Sequence, residues 1–269
     1  MGRRTVKRRT RMVRAEGTVR RGDEILVEEP LEIRVDGAPY STTMRTPGGD
    51  FDLAAGFLHS EGVIAEADDL VSVKYCRLNG TEMYNIVEVR TAARVEAPCG
   101  RSHLVNSSCG VCGKRTVEEI AGRAVRVPED GRTVDGSVVA GLAEDMKPGQ
   151  ELFAKTGGAH AAALVDFRGE VLAVREDIGR HNAVDKVVGW ALREGALPLS
   201  ETVLAVTSRA SFEIVQKAAF AGVPVVSAVS APSSMAVSLA EEAGMTLVAF
   251  NRGERYNVYT RPERIGGVA

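Results

Sequence analysis

The second half of the chain alternates short apolar runs with amphipathic segments, and no other feature narrows the fold as much. From Leu152 onward, "AHAAALVDF", "EVLAVRE", "TVLAVT", "PVVSAV" and "MTLVAF" read as buried strands. Helical segments from about Asn182 to Arg193, Phe212 to Ala221 and Ser234 to Ala243 lie among them. Strands alternating with helices require crossover connections, and therefore a largely parallel sheet between helix layers. The Arg168-Gly169 turn joins the first two strands tightly, which makes that pair antiparallel and the sheet mixed.

The front half follows a different rule. Between Gly17 and about Arg90 strand patterns dominate, with "EILVEEPLEIRV" and "YSTTMRT" joined through Asp36-Gly37, and "LVSVKYCRL" and "MYNIVEVR" flanking Asn79-Gly80. One segment, "GGDFDLAAGFLHSEGVI", switches to helical period, with Asp50 or Asp52 near its start and Gly62 as its stop. This half is expected to be a smaller α+β unit, residues 17–105. A Gly-, Ser- and Cys-rich connector, 106–134, then leads to an α/β domain at 135–269 whose first helix has Asp135 as a candidate N-cap. At 269 residues, two units are slightly favoured over one.

Charge is unevenly spread. The net charge is only −2, yet Gly2 to Arg14, "GRRTVKRRTRMVR", is almost purely basic. It lacks the apolar core of a secretory signal, and no run approaches the roughly 18–20 apolar residues of a membrane span. A cytoplasmic protein with no membrane association is expected. Residues 1–16 are expected to be a solvated, disordered tail; the alternative is an arm that attracts a polyanion, either nucleic acid or a phosphorylated ligand.

Four cysteines are too few for a disulfide scaffold in a chain of this length. Two of them, Cys109 and Cys112, sit in "NSSCGVCGK". A structural zinc site needs four ligands, and no second Cys-x-x-Cys or His pair has the required spacing, so no metal is assigned. A thioredoxin-type pair would open a helix after a strand, whereas this one lies in a loop. Gly110 and Gly113 loosen the backbone, and Lys114 and Arg115 favour a thiolate, which suits an exposed nucleophile that exchanges sulfur. Two incidental loop thiols are the remaining reading.

Four polar clusters fall where a ligand of an open α/β sheet would bind, near strand ends and helix starts. "REDIGRHNAVDK" brings Glu176, Asp177, Arg180, His181, Asn182, Asp185 and Lys186. "VTSRAS" brings Thr207, Ser208, Arg209 and Ser211, and "SAVSAPSS" follows from Ser227 to Ser234. "AFNRGERYNVY" combines Phe250, Asn251, Arg252, Gly253, Glu254 and Arg255, a set able to seat a base and hold phosphate. His160, after Gly157-Gly158, reads as a structural histidine. It is followed by Ala161 and Ala162, and no cysteine occurs after Cys112, so the zinc-deaminase pattern of His-x-Glu with a later Pro-Cys-x-x-Cys is absent.

The motifs "TPGGDFDLAAGFLHSEGVI", "SSCGVCGK", "TGGAHAAAL", "EDIGRHNAVDKVVG", "TSRASFEIVQKAAFAGVPVVSAVSAPSSMAV" and "FNRGERYNVYT" together resemble the formate dehydrogenase accessory sulfurtransferase family, FdhD, from about Arg20 to Thr260. The resemblance implies a three-layer α/β/α core similar to cytidine deaminases, with a mixed sheet, no zinc, and a smaller N-terminal α+β unit. It also implies a sulfurtransferase that takes sulfur from a cysteine desulfurase as a persulfide on the Cys109/Cys112 loop. The recipient is molybdenum bis(molybdopterin guanine dinucleotide), bound as substrate before insertion into formate dehydrogenase. The resemblance places the guanine dinucleotide partly on Phe250 to Arg255; His181, Thr207, Ser208 and Arg209 are the further candidates from the strand ends. It admits a homodimer. A non-catalytic chaperone for the cofactor, with incidental cysteines, is the competing function.

Overall fold

The structure, a computed structural model, describes residues 2–93, 103–105, 127, 131–253 and 255–268. The Cys-x-x-Cys loop, Cys99 and Glu254 lie outside the described residues.

The chain opens with strands β1 (Thr5–Arg14) and β2 (Gly17–Leu26), which pair antiparallel over their full length as a separate two-stranded ribbon. This corrects the expectation of a disordered tail over 1–16. Like charge argues against packing into a core, but it does not prevent a ladder in which most side chains are exposed to water.

Strands β3 (Glu29–Val35) and β4 (Ala38–Arg45) form the expected hairpin through Asp36-Gly37, and β5 (Leu70–Leu78) and β6 (Thr81–Thr91) form the one through Asn79-Gly80. Asp36, Gly37, Asn79 and Gly80 all have positive φ, the conformation those dipeptides supply cheaply. With β7 (His103–Val105) they make a five-stranded sheet of order β5-β6-β3-β4-β7. The inward face of that sheet carries Leu31, Ile33, Val35, Val87 and Val89, which pack on Leu53, Ala54, Phe57 and Leu58 of helix α1 (Asp50–Ser60).

After the short strand β8 (Val134–Asp135) comes helix α2 (Gly136–Asp145), where Asp135 accepts a hydrogen bond from the Ser137 N–H as N-cap. A short helix of six residues follows, α3 (Glu151–Thr156), which apolar periodicity did not announce. The main sheet comprises β9 (His160–Asp166), β10 (Val171–Asp177), β11 (Thr202–Val206), β12 (Val225–Ala228), β13 (Thr246–Ala249) and β14 (Asn257–Thr260), in the order β10-β9-β11-β12-β13-β14. The β11-β12-β13 block is parallel, while β10-β9, β9-β11 and β13-β14 pair antiparallel, so the sheet is mixed.

Both faces of this sheet are covered, which explains why its strands are apolar almost throughout. One face presents Ala162, Leu164, Leu204, Val206, Val226 and Leu247 to helices α4 (Arg180–Arg193), α5 (Phe212–Phe220) and α6 (Ser234–Glu242). The other presents Ala161, Ala163, Val165, Val203, Ala205 and Val248 to Val139, Leu142 and Met146 on the α2 side, joined there by β15 (Ile265–Gly266). Each fully buried Leu, Val or Ile stabilises the fold by roughly 1.5–3 kcal/mol.

The two halves meet where α1 crosses α4. A Cβ built on Gly56 would lie 1.9 Å from the Asp185 carbonyl oxygen, and one on Gly189 would lie 1.8 Å from that of Asp52. The helices approach backbone to backbone, and only glycine fits at either position.

Candidate functional site

The topology brings the sequence clusters to one edge of the main sheet. Strands β11, β12 and β13 run parallel and end at Val206, Ala228 and Ala249, so Thr207, Val229 and Phe250 emerge side by side. Strand β9 is antiparallel to β11, with Ala162 opposite Val206, so its first residue, His160, sits at the same edge; there it pairs with Asp177, the last residue of β10. The N-terminus of α4 follows directly after Gly179. Backbone hydrogen bonds tie the loops together, from Val229 N–H to Val206 O, Phe250 N–H to Ser230 O and Asn251 N–H to Ala228 O.

Much of "REDIGRHNAVDK" is occupied in joining the two halves. Asp177 is fully buried and accepts from the Thr46 N–H (3.1 Å), the Gly179 N–H (2.8 Å), Asn182 Nδ2 (3.0 Å) and Lys186 Nζ (2.7 Å). Lys186 Nζ also donates to the carbonyls of Thr46 and Glu176, which uses its three protons. Asn182 donates to Met44 O. Asp185 accepts from Ser60 Oγ and from Lys217 Nζ, and Glu176 accepts the Leu152 and Phe153 N–H groups at the start of α3. These side chains therefore act as structural connectors, with their hydrogen-bonding capacity spent inside the protein.

His181 differs from its neighbours. It is buried at the helix start, with Nε2 3.3 Å from Ser211 Oγ and 3.7 Å from Glu213 Oε2. Interaction with the His181 ring holds the Glu213 carboxyl down at about 2. Burial pushes the nearby His160 down, and the charges of Arg180 and His181 push the same way, so His160 favours the neutral imidazole. Arg180 places a buried Nε beside this group with no hydrogen-bond partner among the described residues. The pattern of strand ends did not single out Glu213; its place in the first turn of α5, two residues beyond Ser211, is the only signal it leaves.

The other candidates divide into buried and exposed members. Thr207 Oγ1 accepts the Ala161 N–H at 2.9 Å, and Ser208 is buried with its hydroxyl on Arg209 O. Asn251 is buried and donates to Val139 O (2.6 Å) and Ser227 Oγ (2.9 Å), so it fastens the last loop to the core. Arg209, Phe250, Arg252 and Arg255 are exposed, and Gly253 is half-buried. Phe250 has φ 52°, a left-handed conformation that a bulky residue adopts at a cost, and Gly253 has φ 84°. That backbone leaves an aromatic ring and two guanidinium groups at the mouth of the edge, a combination suited to an aromatic base and anionic oxygens.

Fold and site together define a class: a mixed α/β protein with a small N-terminal sheet locked to a larger, two-sided sheet, and a cationic edge at the carboxyl ends of the parallel strands. The family model for the FdhD/NarQ family matches residues 26–266, and the chain belongs to that family. It is 49% identical over 275 residues to the sulfur carrier protein FdhD of Mycobacterium tuberculosis, covering 98% of this chain and 100% of that one. It is 50% identical over 275 residues to the protein of the same name from Nocardia farcinica, covering 100% of this chain and 97% of that one. In fold it is similar to a crystal structure from Desulfotalea psychrophila, of a protein assigned as a formate dehydrogenase accessory protein. The TM-score is 0.78 at 24% identity, covering 97% of this chain and 99% of that chain. No helix among the described residues is long and apolar enough to cross a membrane.

Proposed function

We propose that this protein is a sulfur carrier in the maturation of formate dehydrogenase. Full-length similarity at about half identity to proteins named as sulfur carriers supports the general role. In the finer reading, a Cys109 thiolate attacks the terminal sulfur of a persulfide on a cysteine desulfurase. The S–S bond of the donor breaks, the donor leaves as a thiolate, and Cys109 holds the outer sulfur as its own persulfide. Cys112 then either relays that sulfur or releases it, as sulfide, by attacking the inner sulfur to form a Cys109–Cys112 disulfide. The recipient is the molybdenum bis(molybdopterin guanine dinucleotide) cofactor, bound as substrate.

The observation that carries the reading is the set Arg209, Phe250, Arg252 and Arg255, exposed together at one sheet edge while their polar neighbours are spent on structure. Phe250 offers a face for guanine, and the guanidinium groups offer forks for its phosphates. A cytidine-deaminase-like layering of the main sheet belongs to the same proposal, as does action in the cytoplasm. The test is mass spectrometry after treatment with a cysteine desulfurase and cysteine. Wild type is expected to gain one sulfur on Cys109 and Cys109→Ala to lose the transfer activity; persulfide on neither thiol defeats the carrier mechanism. A Cys109→Ala, Cys112→Ala double variant that still activates formate dehydrogenase in cells would favour a cofactor chaperone.

A further inference from the structure

The β1-β2 ribbon has no part in the sulfur chemistry above, and its charge is the most concentrated in the molecule. Residues 2–26 hold nine Lys and Arg against three Asp and Glu, a local charge of +6 in a chain whose net charge is −2. Eight of the nine are arginine, whose planar fork binds phosphate or carboxylate with two parallel hydrogen bonds.

The ladder register sorts these side chains. Residues directly opposite share a face, so Arg11 and Arg20 stand side by side, as do Arg9 and Gly22, on the same face two positions along. Like charges directly opposite on a ladder destabilise it, and nothing on that face offsets the pair. Glu24, the acidic residue of that face, lies nearer the root and accepts from Thr5 Oγ1 at 2.6 Å. Among the described residues no carboxylate pairs with Arg9, Arg11 or Arg20, whereas Arg21 reaches Asp23 at 3.5 Å.

Gly22 leaves the floor of this group open. A Cβ there would meet nothing within 4 Å, and Arg9, Thr10, Arg11, Arg20, Arg21 and Gly22 line a concavity. Three guanidinium groups around an unfilled hollow, spread over about 7 Å of strand, match more than one phosphate group. The ribbon is rooted beside the candidate site, because Leu26 packs with Leu152, Ala159 and Ile178, and Ala159 and Ile178 flank His160 and Asp177.

We propose that this hollow is a binding site for a diphosphate or longer phosphate chain, held by Arg9, Arg11 and Arg20 over Gly22. The inference does not depend on sulfur transfer. Binding of inorganic pyrophosphate, guanosine diphosphate and adenosine diphosphate to the full chain, measured by calorimetry, tests it. The component owed to the ribbon is the one lost in Arg11→Ser/Arg20→Ser. That variant is expected to weaken pyrophosphate binding at least tenfold, and Gly22→Val, which keeps every charge but fills the hollow, to do the same. Circular dichroism checks that both variants fold, which their distance from the core favours. Tighter binding of the nucleotides than of pyrophosphate assigns the site to a nucleotide ligand, and equal binding assigns it to the phosphate chain alone. Unchanged affinity in Gly22→Val, or binding of a DNA duplex but not of pyrophosphate, overturns the proposal in favour of a diffuse polyanion contact.

Discussion

"REDIGRHNAVDK" and "FNRGERYN" look equivalent as strings: each lies at the end of a strand, and each is dense in charge and hydrogen-bonding groups. In the folded protein they do opposite work. The first lies where the two halves meet, and Asp177, Asn182, Asp185 and Lys186 are each at most 5% exposed. The second lies at the open edge, where Arg252 and Arg255 face solvent. A buried charge must be paired and hydrogen-bonded or it costs several kcal/mol, so the first cluster has little capacity left for a ligand. An exposed guanidinium carries no such obligation and can be retained for binding.

Substitutions can break this contrast. The seam where the buried cluster lies has its tightest point at the glycine crossing, and the largest effect is expected there. Gly56→Leu or Gly189→Leu would force α1 and α4 apart, and no soluble, cooperatively folding protein is expected, as read by expression and thermal melting. Next comes Lys186→Met, which strands the Asp177 carboxylate in the interior; a loss of about 3–5 kcal/mol in denaturant unfolding is expected. A loss below 1 kcal/mol would mean that water reaches the seam.

The open edge should respond in the opposite way. Arg252→Ala is expected to leave stability within about 0.5 kcal/mol of wild type. Its affinity for guanosine diphosphate should fall about tenfold, or about 1.4 kcal/mol. Unchanged affinity by calorimetry removes Arg252 from the site.

The smallest effects are those of pH. Burial pushes His59 down and outweighs the opposing pull of the Ile64 and Phe220 carbonyl oxygens, so the unfolded chain takes up its proton more readily than the folded one. Stability is then present above the ordinary histidine value of about 6.5 and declines as pH falls through it. His160 adds to this in the same direction. Glu213, with a carboxyl held at about 2 rather than 4.5, contributes stability that is complete above 4.5 and is lost as pH falls toward 2. Stability curves from pH 8 to pH 3 should show the two declines in that order. Glu213→Gln should remove the second alone.

Local signals were legible wherever the residues concerned are close in the chain. The Asp36-Gly37 and Asn79-Gly80 turns, the Asp135 cap, the antiparallel pair around Arg168-Gly169 and the helix beginning at Asp50 all follow from neighbours a few positions apart. The gathering of strand ends at one edge also followed, because alternating strands and helices leave few topologies open. The first strand of the ribbon, Thr5–Arg14, did not: its stability comes from ladder hydrogen bonds, while the apolar pattern that usually betrays a strand is missing there.

What the sequence by itself determined is therefore the mixed sheet and the family, since periodicity, turn chemistry and long ordered motifs are properties of the string. Only the tertiary structure decided which polar residues are available. Asp177 is spent because Thr46, 131 positions earlier, delivers its N–H to that carboxylate. Gly56 and Gly189 matter because the backbone of the facing helix fills the space that a side chain at either position would need. Such assignments depend on which distant atoms come within about 3 Å of one another, and on whether water can still reach them.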